Sequence, residues 1–276
     1  MQTKKHFGQH FLTQPAIVQK IIRELSPNSQ SQDTKDSQDI LVEIGPGKGA
    51  LTLPLLNQNY ALTAIDIDPD VIKFLSPYLN QYPKFKLIHQ DALTVDLKAI
   101  ALDTPHHKFK LIGNLPYNIS THLLFHFLKY PAYIQEMVLM VQKEVADRIC
   151  SEAGNKIYGR LSVMVQAACK VEKCFTVPPG AFTPPPKVQS AVIKLIPYNA
   201  LTCPSPYGEV DFVALGKLCL ALFTQRRKTL KNLIKPYFNS TEEVDAFFVK
   251  HPEFSPTQRP ETLSVQRFIE LSRLLG

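Results

Sequence analysis

Several features are absent from this 276-residue sequence, and each absence excludes a class of protein. No apolar run approaches the roughly 20 residues of a membrane-spanning helix, and the longest clean stretch is Met137 to Val141. There is no C-x-x-C pair among the five cysteines (Cys150, Cys169, Cys174, Cys203, Cys219), and their number is odd. A zinc knuckle and a disulfide framework are therefore disfavoured, and reduced thiols in a cytoplasmic protein are expected. His122 and His126 stand at i, i+4 but lack an accompanying Glu or third ligand, so helix packing is expected of them and no metal. The first 23 residues hold no acid, a bias shared with transit peptides, but the block Phe7 to Leu12 within them argues against that reading.

What is present is a basic chain of 45% hydrophobic residues, with net charge +7 and pI near 9.1. Such a balance points to a polyanionic partner more than to a fold. It is concentrated in Arg226, Arg227, Lys228, Lys231 and Lys235, within ten residues that contain no acid. A solvated helix face and a phosphate-binding face both fit that pattern.

Residues 14–25 read as an amphipathic helix through Ile17, Val18, Ile21, Ile22 and Leu25. Ser26 to Asp39 has no large apolar residue and reads as a solvated loop. Strands are expected at 40–44, 61–65, 85–89, 109–112, 136–141 and 191–197, with helices at 50–56, 71–79, 119–130 and 142–152. Alternation of strand and helix implies a mainly parallel sheet covered on both faces, an α/β domain over residues 1–198. Beyond Tyr198 only helices are expected, at 211–233, 240–250 and 264–275, with Ser240 and Glu243 as a capping box. Residues 199–209, with two prolines and a glycine, read as the linker, so that 199–276 forms a small all-α domain.

Four polar signatures sit at expected strand ends: Gly45-Pro46-Gly47-Lys48-Gly49, Asp66, Asp91 and Asn114-Leu115-Pro116-Tyr117. In parallel sheets ligands bind outside the carboxyl ends of the strands, so the fold would gather all four at one edge. The glycine turn excludes a P-loop, because Gly49 follows Lys48 where Ser or Thr is required. It also satisfies G-x-G-x-x-(G/A), with Asp66 about 20 residues on, so an NAD-dependent dehydrogenase is the first rival. Against that rival, hydride transfer needs a proton relay, and no persuasive His or Lys stands at these strand ends. Asn114 and a neighbouring main-chain carbonyl could instead accept the two N–H bonds of an aromatic amine and ready its lone pair for attack on a methyl sulfonium, while Tyr117 stacks on the base. An ordinary strand-ending turn is the competing reading of these four residues, and a helix N-cap that of Asp91.

Six blocks carry a resemblance: Phe7 to Leu12, Val42 to Gly47, Gly113 to Ser120, Tyr158 to Val163, Phe182 to Val188, and Gln225 to Thr229. In content and order the chain resembles the KsgA-type ribosomal RNA adenine dimethyltransferases, relatives of the Erm methylases. The resemblance implies a Rossmann-like S-adenosylmethionine methyltransferase domain with a small helical RNA-binding domain. It implies N6,N6-dimethylation of two adjacent adenines near the 3′ end of small-subunit (16S) rRNA during 30S biogenesis; a monomer is expected, and no metal, because a sulfonium leaving group needs no Lewis acid. By position it implies cofactor contacts from His10, Leu12, Gly45, Asp66, Asp91 and Asn114, a reacting loop containing Asn114, Leu115 and Tyr117, and a base sandwiched between Tyr117 and Phe182. Two positions depart from the commoner pattern: His10 stands for Asn, and Asp66 for Glu. An assembly factor that mainly binds immature subunits, with methylation secondary, is the alternative; a DNA adenine methyltransferase is a weaker third.

Overall fold

A computed structural model of the chain describes residues 10–26, 40–104, 108–199 and 203–276. Phe7 to Gln9 of the first block, and all of the expected 26–39 loop beyond Ser26, lie outside these residues. The chain forms two compact units, Met1–Ala146 with Lys170–Asn199, and Asp147–Cys169 with Ala200–Gly276. A single cut at residue 199 was expected, and 147–169 belongs instead with the C-terminal helices. The cause is helix α7 (Arg160–Ala168), whose Leu161, Val163, Met164 and Val165 are buried and which packs on α8 (Phe212–Thr224) and α11 (Val265–Leu275).

The first unit is built on a seven-stranded sheet. Its strands are β2 (Ile40–Ile44), β3 (Ala61–Asp66), β4 (Phe85–His89), β5 (Phe109–Asn114), β6 (Ile134–Gln142), β7 (Cys169–Val177) and β9 (Ser190–Pro197), in the order β4-β3-β2-β5-β6-β9-β7. From β4 to β6 neighbours are parallel, and β9 runs antiparallel to β6. Strand β2 is buried almost throughout, as a strand covered on both faces requires. The chain steps from β2 toward β4 on one side and from β5 toward β6 on the other, so the order reverses between β2 and β5. That reversal opens a crevice at the carboxyl ends of these two strands.

Helices α1 (Pro15–Arg23), α2 (Thr52–Asn57), α3 (Pro69–Leu75), α4 (Leu97–Leu102) and α5 (Ser120–Phe127) lie between the strands. Helix α3 starts two residues before the expected 71–79, with Asp68 as its cap accepting from Asp70 N and Pro69 at the first turn. A two-stranded sheet stands apart from the main one. Strands β1 (Phe11–Leu12) and β8 (Phe182–Thr183) pair antiparallel, Leu12 opposite Phe182.

Glu136 on β6 accepts from Ser26 N and Oγ at 2.7 and 2.8 Å and lies 3.1 Å from Lys194 Nζ and 3.6 Å from Lys110 Nζ. Lys110 and Lys194 also donate to the carbonyls of Ser26 and Glu24, so this buried group of charges fastens the end of α1 to the sheet.

In the second unit the expected helix over 211–233 is broken into α8 and α9 (Leu230–Ile234). The first amides of α9 are taken by another segment, Leu230 N by Gln258 O and Lys231 N by Pro256 O, which stops the α8 ladder from continuing. Helix α10 (Thr241–Lys250) begins with the expected capping box: Ser240 Oγ accepts from Glu243 N, and Glu243 accepts from Asn239 N one residue before the cap. No helix among the described residues is long and apolar enough to cross a membrane.

Candidate active site

At the crevice between β2 and β5 lies a cavity of about 290 Å³. Its wall includes His10, Leu12, Gly45, Asp66, Asp91, Asn114, Leu115 and Tyr117, segments that span more than a hundred positions of sequence. The glycine turn shapes one side. Gly45 and Gly47 have φ of +68° and +53°, which bare main chain adopts without strain. Opposite, Gly113 lets β5 come so close to β2 that a Cβ there would lie 2.6 Å from Ile44 O.

The acids are held by backbone amides. Asp66 Oδ1 accepts from Asp68 N at 2.8 Å. Burial raises the Asp66 pKa, partly offset by hydrogen bonds from the amides of Asp68, Gly47 and Ile67. Asp91 spends one oxygen on Leu93 N at 2.9 Å and keeps a second carboxylate oxygen in a half-buried position; it caps a turn, not a helix. A third acid lines the cavity that no site reading of the sequence had assigned: Glu43, 1% exposed, accepting from Thr52 Oγ1 at 2.7 Å. Burial pushes its carboxyl up to about 8; the Thr52 hydrogen bonds act against that rise, and the neighbouring Asp66 adds to it. Its signal in the sequence was a charged residue inside an otherwise apolar strand, Ile40-Leu41-Val42-Glu43-Ile44.

Asn114 ends β5 with its side chain oriented. Nδ2 donates to His10 O at 3.1 Å, which leaves the amide oxygen as an acceptor. Leu115 N donates to Met140 O at 3.0 Å, fixing the start of the loop to β6. Tyr117 Oη and Ser190 Oγ are 2.5 Å apart, and burial raises the Tyr117 pKa while Ser190 opposes the rise. The Tyr117 ring stacks on the His10 imidazole, with centroids 5.6 Å apart and planes inclined by 27°.

Phe182 was expected to sandwich the base with Tyr117. Its ring is 3% exposed, belongs to the buried apolar cluster that includes Leu12, Val177 and Ala181, and is not on the cavity wall. Pairing of β8 with β1 ties Phe182 to Leu12 and so to the core. His126, weighed against metal binding, is buried on α5 with Nε2 2.9 Å from Val95 O. Among the described residues no group of three or more His, Cys, Asp or Glu is arranged to hold a metal ion.

The family model described as ribosomal RNA adenine dimethylase matches residues 1–273. A protein of Nitrosococcus oceani named ribosomal RNA small subunit methyltransferase A is 40% identical over 272 residues, 99% of this chain and 96% of that protein. One of the same name from Hydrogenovibrio crunogenus is 42% identical over 274 residues, with the same shares. Among solved structures, a dimethyladenosine transferase from Plasmodium falciparum aligns with a TM-score of 0.74 at 28% identity, covering 95% of this chain and 96% of that one. The 23S rRNA methyltransferase ErmE shares the fold, with a TM-score of 0.67 at 22% identity, covering 96% and 99%.

Proposed function

The chain belongs to the ribosomal RNA adenine dimethylase family, and on that premise we propose how its cavity works: it is an S-adenosylmethionine-dependent enzyme that dimethylates N6 of two adjacent adenines near the 3′ end of small-subunit (16S) rRNA. The observation that carries this reading is Asn114, whose amide nitrogen is committed to His10 O and whose amide oxygen is thereby left to accept.

The cavity suits the cofactor. Bare main chain at Gly45 and Gly47 accepts its methionine part, Asp66 offers a carboxylate to ribose hydroxyls, and the second oxygen of Asp91 receives an adenine amine. His10 and Leu12 close the site from β1. S-adenosylmethionine, when bound, supplies a methyl group on a sulfonium, an electrophile that needs no Lewis acid. Asn114 Oδ1 and the Leu115 carbonyl accept the N–H bonds of the target amine, drawing its lone pair out of conjugation. Tyr117 stacks on the flipped adenine, a contact worth about 1 to 3 kcal/mol. Each transfer releases S-adenosylhomocysteine and one proton of the amine, so after the first the amine retains one N–H, which one of the two acceptors still orients.

In the second unit Arg227, Lys228 and Lys235 are exposed and face solvent, suited to phosphate contact with rRNA in a 30S precursor. We place the enzyme in the cytoplasm as a monomer. The same exposed cations support a second reading, in which binding to immature subunits is the main task.

The test is mass spectrometry of RNA after incubation with labelled S-adenosylmethionine and small subunits lacking the modification. N6,N6-dimethyladenosine at the two adenines is the expected product. Its absence, where a family enzyme succeeds in parallel, refutes the reading. Subunit assembly that fails with Asn114→Ala but is normal with Arg227→Glu would discard the binding-first alternative.

A further inference from the structure

His10 does something in this structure that its place near the cofactor does not require. Its imidazole covers a face of the Tyr117 ring. It is also held there by a hydrogen bond, since Nδ1 donates to Pro184 O at 2.8 Å. The main chain of the same residue is fixed separately, because Asn114 Nδ2 donates to His10 O at 3.1 Å. Ring and backbone therefore have different anchors, and the ring can leave without moving the carbonyl.

The ring separation excludes an inserted base. Aromatic planes touch at about 3.5 Å, so a base lying between His10 and Tyr117 needs about 7 Å between the outer rings. The observed centroid distance is 5.6 Å. An adenine that stacks on this face of Tyr117 must displace the imidazole and break its bond to Pro184.

We propose that His10 is a gate on the target slot: its imidazole occupies the Tyr117 face and swings away when the target adenine enters. This rests on the reading that Tyr117 stacks the base. The gate acts on adenine affinity and leaves the Asn114–His10 backbone bond in place. It also gives His10 a role in how readily a loose adenine enters. A base that arrives alone must displace the imidazole unaided. One delivered by rRNA is backed by the rest of the interface.

Calorimetry with adenosine as the probe, in the presence of S-adenosylhomocysteine, tests this. His10→Asn keeps a donor for Pro184 O and removes the ring; His10→Ala removes both. Each should bind adenosine about three- to tenfold tighter than the parent, the size of a lost ring stack. S-adenosylhomocysteine affinity, measured in the same variants without adenosine, reports any loss at the cofactor edge and is used to choose saturating conditions. Tyr117→Leu should weaken adenosine binding. If Tyr117→Leu has no effect, the stacking reading itself fails. If Tyr117→Leu weakens binding while the His10 variants bind adenosine equally or more weakly than the parent, Tyr117 stacks the base and the gate is overturned. Adenosine-dependent movement of the His10 ring resonances, identified by their loss in His10→Asn, is the second readout; unmoved resonances at saturation also overturn it.

Discussion

Asn114 and His10, 104 positions apart in sequence, are joined by one hydrogen bond from the Asn114 amide to the His10 carbonyl. The bond does two things at once: it closes β1 over the cavity and turns the amide oxygen of Asn114 into the acceptor. Asn114→Ala should lower kcat by about 10²-fold or more, the usual scale for losing a positioning group at a reacting atom. Asn114→Asp keeps an oxygen but replaces the donor with a second acceptor facing His10 O, so it should fail nearly as badly. Single-turnover methylation checks both, and thermal unfolding within a few degrees of the parent shows that the defect is chemical. Full turnover in either variant removes Asn114 from its role.

Glu43 sets a pH dependence of stability. Its carboxyl titrates near 8 in the folded chain against an ordinary 4.5, chiefly through burial. Between those values the native state holds a proton that the unfolded state has lost, so stability falls as pH rises through that window and levels off above it. Glu43→Gln keeps an acceptor for Thr52 and cannot ionise. It should match the parent near pH 5 and exceed it at pH 9 in urea unfolding, and equal pH profiles for the two proteins would contradict the assignment.

Gly113 is required by contact distance. The added methyl of Gly113→Ala would stand 2.6 Å from Ile44 O, which only separation of β2 and β5 can relieve. A loss of about 1 to 3 kcal/mol in stability is expected. Because Gly45 follows Ile44 directly, binding of S-adenosylhomocysteine should weaken as well; calorimetry showing unchanged affinity would separate the strand contact from the cofactor site.

The basic cluster divides into unequal members. Lys231 is ion-paired with Asp245, and Arg226 donates to Lys156 O, whereas Arg227, Lys228 and Lys235 are exposed. Neutralising each of the exposed three should lower the salt slope of RNA binding by about 0.7 to 0.9. Lys231→Ala should change it less. Binding titrations from low to moderate salt check the ranking.

Much of this arrangement was legible in the sequence because it is local. The apolar run Ile40 to Ile44, the glycines after it, and the acids after the next two strands each mark a strand end, and topology alone brings strand ends together. What escaped was non-local or masked. Strands β1 and β8 are two residues each and exist only because residues far apart pair. Strand β7 lies at the sheet edge, where Lys173 breaks the alternation begun by Cys169, Lys170, Val171 and Glu172 that would announce it. Helix α7 sits in a block recognised for its resemblance, and nothing local tells that its partners are α8 and α11. Phe182 shows the same limit: nothing in its block tells that its ring joins the buried apolar cluster.

The short ladder between β1 and β8 has a consequence for synthesis. Thr183 pairs with Phe11, and Pro184 supplies the acceptor for His10. A nascent chain that has not yet exposed Pro184 therefore carries every strand-end signature from Gly45 to Tyr117 but has no seat for His10. The sheet can begin to form around its first strands early in translation; the mouth of the cavity is finished only once about two thirds of the chain has emerged. Completion of the cavity is thus timed by a pair of residues at opposite ends of the domain that builds it.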